Sequence, residues 1–141
     1  MQKRQQMNIA KNLEDAALHF QNRSAVLENE RDVNYTKLNH DASCIASALV
    51  ATGLKPGDYV ALCAPNSYAW LVVYFGVLKA GAVAVTFSHL LTKTELLQIL
   101  SDCQPKVLFT DDKKLEVLDD LKNLPFIELV VCDHRNIFFY R

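Results

Sequence analysis

The spacing of apolar residues changes period along this chain, and each change marks an element. From Asn8, a good helix N-cap, Ile9, Leu13, Ala16, Ala17 and Phe20 recur on one face of a helix. Residues 24–28 then read as a short strand, residues 29–32 as a polar turn, and Val33 as the start of a return strand, which together predict a small hairpin. Leu38, Ala42, Ile45, Ala46, Leu49 and Val50 restore the helical interval, with Asn34 to open the helix and Gly53 and Pro56 to stop it.

From Tyr59 onward, short continuous apolar runs alternate with helical stretches. Residues 59–64 predict a strand covered on both faces, and Pro65, Asn66 and Ser67 turn the chain into a helix over residues 67–80. That helix is apolar nearly all round, so burial is expected, and Gly81 ends it. Residues 82–87 predict a second buried strand. Thr92 and Glu95 then have the spacing of a capping box ahead of an inward stripe of Leu96, Ile99, Leu100 and Cys103. Pro105 closes this helix before a strand over residues 106–109. The last unit repeats the plan, with Asp111 as cap, Leu115, Leu118 and Leu121 as stripe, Pro125 as breaker and a strand over residues 129–132. Strand, helix, strand in this rhythm predicts an α/β fold, a layered and mainly parallel sheet with flanking helices. Residues 1–58 are expected to form helix, hairpin and helix, and residues 59–132 the alternating unit, within one partial domain spanning residues 1–141.

Charge and composition exclude more than they identify. Fifteen Lys and Arg against sixteen Asp and Glu leave a net charge of -1, which gives no electrostatic footprint for nucleic acid. Residues 68–87 are nearly as long and apolar as a bilayer crossing, but Lys79 near the middle would cost roughly 2.5–3.5 kcal/mol, and Gly76 and Gly81 weaken a continuous span. No transmembrane segment is expected. Cys44, Cys63, Cys103 and Cys132 are scattered, form no CxxC pair, and read as free, buried thiols in a cytoplasmic protein.

Candidate chemistry gathers where a parallel sheet would place it, at the carboxyl ends of strands. The polar residues there are Asn66 and Ser67, Ser88 and His89, Thr110 and Asp111, and Asp133 and His134. Each is also what a helix cap or turn prefers for local reasons. Asn66, Ser88 and His89 are the candidate ligand-edge residues. Ser88 beside His89 lacks a third orienting group, so nucleophilic catalysis is not expected. Cys132, Asp133 and His134 lack a second ligand pair, so no metal site is expected. Gly53, Gly57, Gly76 and Gly81 make neither GxGxxG nor GxxxxGK[ST], and no phosphate-cradling loop is visible.

Several segments together resemble the N-terminal region of the adenylate-forming family of AMP-dependent synthetases and ligases, and look most like acyl-CoA synthetases of the fatty-acid type. The segment VNYTKL at residues 33–38 resembles the family's TYxEL helix start, and GLKPGDYVAL at 53–62 resembles its GVKPGDRVAL segment. The most specific piece is YFGVLKAGAV at 74–83, followed by residues 91–96 and 101–108. The resemblance implies ATP-dependent activation of a carboxylic acid to an acyl-adenylate, then transfer to a thiol such as coenzyme A, with magnesium. It also implies that no catalytic residue lies in residues 1–141, because the family's Ser/Thr/Gly-rich phosphate loop and its C-terminal lysine have no counterpart here. The expected partner is the remainder of the ligase, and no cofactor is expected to bind this chain alone. Two departures stand out: the loop VTFSHLL at 85–91 lacks two prolines common in relatives, and Lys37 replaces a capping-box glutamate. The apolar residues 136–141 read as an interrupted chain, and exposed apolar surface predicts self-association. The alternative is a non-catalytic binding or regulatory module on the same scaffold.

Overall fold

The structure, a computed structural model, describes residues 7–117 and 124–132. In chain order the elements are α1 (Ala10–Phe20), β1 (Ser24–Glu28), β2 (Arg31–Asn34), α2 (Tyr35–Ala51), β3 (Tyr59–Cys63), α3 (Tyr68–Lys79), β4 (Val83–Thr86), α4 (Lys93–Cys103), β5 (Val107–Thr110), α5 (Asp112–Val117) and β6 (Leu129–Cys132). The expected α/β layering is present. Leu118, Leu121, Asp133, His134 and residues 136–141 lie outside the described residues.

The N-terminal unit is held by short-range chemistry. Asn8 Oδ1 accepts from the Ala10 N–H at 2.9 Å and opens α1, whose buried positions are Ala10 and Leu13. Ile9 and Phe20, expected on the inward face, are instead 55% and 47% exposed, because one buried row suffices where this short helix meets α2 and α3. The β1–β2 turn is Asn29 and Glu30, with φ of 46° and 65°, the left-handed pair that matches hairpin twist. The return strand therefore begins at Arg31, earlier than the apolar pattern indicated. Asn34 caps α2 by accepting from the Lys37 N–H at 2.8 Å.

The second unit is a parallel sheet in the order β4-β3-β5-β6. Period-2 alternation splits each strand between two cores. Val60, Leu62, Val107, Phe109 and Leu129 meet α2 and α3 through Leu49 and Val77. Ala61, Cys63, Leu108 and Val130 meet α4 through Leu96 and Leu100 on the opposite face. The expected buried second strand is an edge strand among the described residues: β4 pairs there with β3 alone, and Val83 is 41% exposed. Helix α3 has no exposed residue along its length, as its all-round apolarity predicts.

The family-like glycine segments meet at the amino ends of β3 and β4. Gly57 N–H donates to the Gly81 carbonyl at 2.9 Å, and Val83 N–H donates to the Asp58 carbonyl at 2.8 Å. Gly57 and Gly81 have φ of +87° and +74°, which a side chain would resist. Asp58 clamps the same corner, accepting from the Lys55 N–H at 2.8 Å and from Lys106 Nζ at 3.0 Å. These motifs are scaffold.

Candidate functional site

Parallel pairing brings the carboxyl ends of all four strands to one edge, and the three candidate residues meet there. Asn66, Ser88 and His89 line one cleft of about 550 Å³ with Ala64, Trp70, Thr86 and Phe87. Asn66 follows β3, while Ser88 and His89 follow β4, so the β3–β4 register alone makes them neighbours. Ser88 is partly committed to its own turn, since its Oγ accepts from the Leu90 N–H at 3.2 Å.

The other polar residues of this edge have local work. Ser67 Oγ accepts from the Trp70 N–H at 3.1 Å and caps α3. Asp111 Oδ1 accepts from the Lys114 N–H at 2.7 Å and caps α5. Thr110 is 1% exposed, is flanked in register by Cys63 and Cys132, and its hydroxyl has no hydrogen-bond partner among the described residues. Cys132 Sγ donates to Asp112 Oδ1 at 2.7 Å. Burial pushes the Cys63 thiol up to about 11, with Lys114 acting against it, so this thiol stays protonated at neutral pH.

The cleft does not by itself fit a triphosphate or its magnesium. Among the described residues no Lys or Arg lines it, and the glycines with positive φ, Gly53, Gly57 and Gly81, lie ahead of β3 and β4 at the opposite edge. Among the described residues, no group of three His, Cys, Asp or Glu is placed to hold a metal ion. What the cleft offers is the hydrogen-bonding groups of Asn66, Ser88 and His89 beside an indole.

Periodicity did not indicate a second cavity, of about 320 Å³, that shares Ala64 and Trp70 with the cleft. Ile45, Leu62, Val73, Phe109 and Val131 supply most of its wall, and Asp41, Tyr68, Thr110 and Cys132 supply polar groups. Burial would raise the Asp41 carboxyl, but hydrogen bonds from Lys37 and Tyr68 outweigh it and hold the group below its ordinary 3.8. Burial and the bond to Asp41 push the Tyr68 hydroxyl well above its ordinary value. Tyr68 OH donates to Asp41 Oδ2 at 2.9 Å, and the Arg31 guanidinium sits 5.2 Å over the Tyr68 ring. Asp41 carries no sequence signal, because an acidic residue between apolar helical positions reads as solvated surface.

Among the described residues, no helix is long and apolar enough to cross a membrane. The model of the family described as AMP-binding enzyme matches residues 13–138. The medium-chain fatty-acid–CoA ligase of Escherichia coli (strain K12) is 32% identical over 114 residues, covering 76% of this chain and 20% of the relative. The fatty acid–[acyl-carrier-protein] ligase ScoC of Streptomyces coeruleorubidus is 35% identical over 109 residues, covering 77% of this chain and 21% of the relative. Among solved structures, the anthranilate CoA ligase AuaEII in complex with anthranoyl-AMP superposes with a TM-score of 0.83 at 30% identity, over 89% of this chain and 24% of that one. The chain thus spans about a fifth of the length of the curated relatives it matches. Matched across nearly all of its elements, the chain belongs to the AMP-binding enzyme family of adenylate-forming acyl-CoA synthetases, as a part of its N-terminal region.

Proposed function

We propose that this chain is the N-terminal scaffold of an AMP-forming acid–thiol ligase. In that reaction a carboxylate oxygen attacks the α-phosphorus of ATP, pyrophosphate leaves, and a thiol then displaces AMP from the acyl-adenylate. The observation that carries the reading is the family match over residues 13–138, which includes both glycine segments and the whole parallel sheet. The relatives' names support an acid as the substrate and differ on the acceptor, coenzyme A in one and an acyl carrier protein in the other.

The contribution of this chain is positional. It presents Asn66, Ser88 and His89 at the carboxyl edge as a ligand-facing rim, and the groups that stabilise the leaving pyrophosphate come from the remainder of the ligase. Without them the reaction lacks preorganised charge stabilisation, usually the largest catalytic contribution. The protein functions in the cytoplasm, with ATP, magnesium and coenzyme A engaged only once that remainder is in place. Exposed Leu27, Val83 and Leu90, at 75%, 41% and 80%, favour self-association of the isolated chain.

ATP–pyrophosphate exchange with a panel of carboxylic acids tests this directly. Residues 1–141 alone give no exchange above background, and the chain joined to the remaining segments of a relative gives acid-dependent exchange. Robust exchange by the isolated chain would overturn the scaffold role, and a joined protein that folds without exchange would overturn the ligase reading.

A further inference from the structure

The parallel sheet has a topological switch point. From β3 the chain crosses to β4 on one side through α3, and then returns through α4 to β5 on the other side. Helix α3 packs on the face of Val60 and Leu62, whereas α4 and the Leu124–Ile127 connection pack on the opposite face. Where consecutive connections part in this way, a crevice opens outside the carboxyl ends of the strands, and ligands of open α/β sheets bind in such crevices. The 320 Å³ cavity lies there, bordered by Leu62 and Ala64 at the end of β3, Phe109 and Thr110 at the end of β5, and Val131 and Cys132 at the end of β6.

We propose that this cavity is a binding site for a small neutral aromatic alcohol, its ring lying between Trp70 and Val131 and its hydroxyl directed to the Asp41 carboxylate. The size falls at the lower end of the roughly 300–1,000 Å³ range of ligand pockets, which suits a single substituted ring. The walls are apolar and preorganised: Trp70 is fixed by stacking on Tyr74, with centroids 5.2 Å apart and planes 9° apart. Few polar groups converge; the Thr110 hydroxyl has no partner among the described residues, whereas Asp41 and Tyr68 are held. Tyr68 OH donates to Asp41 Oδ2 at 2.9 Å, and Lys37 Nζ pairs with the same carboxylate. Asp41 thus remains an acceptor with fixed geometry, which favours a hydroxyl donor and opposes a second carboxylate. The site is separate from the Asn66, Ser88 and His89 cleft, with Trp70 as the shared wall.

Trp70 is the single tryptophan of the chain, so its fluorescence reports binding at the cavity or at the cleft that shares this wall, and filling the cavity with Val73→Phe tells the two apart. Titration of the full chain with phenol, toluene and benzoate should show phenol binding roughly threefold to tenfold tighter than toluene, with benzoate weakest, as one added hydrogen bond predicts. Asp41→Asn narrows the phenol preference, and Val73→Phe, which fills the cavity, weakens both neutral probes at least about tenfold while circular dichroism confirms the fold. If Val73→Phe does not fold, amide shifts of Ile45 and Val131 in the wild-type chain on phenol addition serve instead. Equal binding of phenol and toluene, benzoate binding as tight as phenol, a folded Val73→Phe chain that binds normally, or shifts absent from Ile45 and Val131 would each overturn the proposal.

Discussion

Ile45 on α2 packs against Gly76 on α3 so closely that a Cβ at position 76 would lie 2.5 Å from Ile45 Cγ2 and 3.0 Å from the Ala42 carbonyl oxygen. Gly76 is therefore in the family-like YFGVLKAGAV segment because two helices touch there, not because a ligand does. The contact also fixes how α2 and α3 lean on the face of the sheet that carries Leu62 and Phe109.

Gly76→Ala consequently sets two effects against each other. Alanine favours a helix interior by about 1 kcal/mol over glycine, whereas overpacking a filled contact costs roughly 1–3 kcal/mol. The backbone oxygen of Ala42 cannot swing away as a side chain can, so the steric cost wins. Urea denaturation should show net destabilisation of up to about 2 kcal/mol. Trimming the neighbour with Ile45→Val should recover part of that loss in the double variant, a coupling expected only for residues in contact. A stabilised Gly76→Ala chain would show that the helices stand farther apart.

The Asp58 corner predicts a pH dependence. The Lys55 backbone N–H, and then the Lys106 ammonium, hold the Asp58 carboxyl below its ordinary 3.8. Between the folded and unfolded values, the unfolded chain binds more protons, so stability rises with pH across that window. The contribution is fully present above about pH 4 and fades as pH falls through the depressed folded value. Unfolding curves of wild type and Asp58→Asn measured from neutral pH to about pH 2 should converge at the acid end. A constant gap between them would mean that the carboxylate charge contributes nothing to this corner.

Thiol labelling tests the packing of the strand ends. Cys44, expected to be buried, is instead exposed on α2, and Cys103 is half-buried, whereas Cys63 and Cys132 are buried in the sheet, where burial raises the Cys63 thiol to about 11. An aromatic disulfide reagent at neutral pH should label Cys44 rapidly and reach Cys63 and Cys132 only in denaturant. Fast native labelling of Cys63 would show that the face covered by α4 opens readily.

These predictions draw on two kinds of information. Local chemistry was legible along the chain: Asn34, Ser67, Thr92 with Glu95, and Asp111 all cap the helices their positions indicated. Capping depends on residues two or three apart, so distance in sequence is distance in space. The glycine segments were also legible as a resemblance, and their work proved to be the Gly57–Gly81 junction.

Which surfaces face each other was a different matter. Apolar period assigns a face to each element but no neighbour, so it placed Ile9, Phe20 and Val50 inward although they are 55%, 47% and 55% exposed. The order β4-β3-β5-β6 rests on hydrogen bonds between residues far apart in the chain, such as Val60 with Ala84 and with Val107, and no local pattern encodes it. That order makes β4 an edge, gathers Asn66, Ser88 and His89 into one cleft, and opens the cavity beside Asp41 and Trp70. By itself the sequence determined the elements, their caps and the family, because these are written in short-range periodicity and motif. The tertiary structure alone decided the edges, the cleft and the cavity, because long-range pairing between parallel strands selects which ends become neighbours.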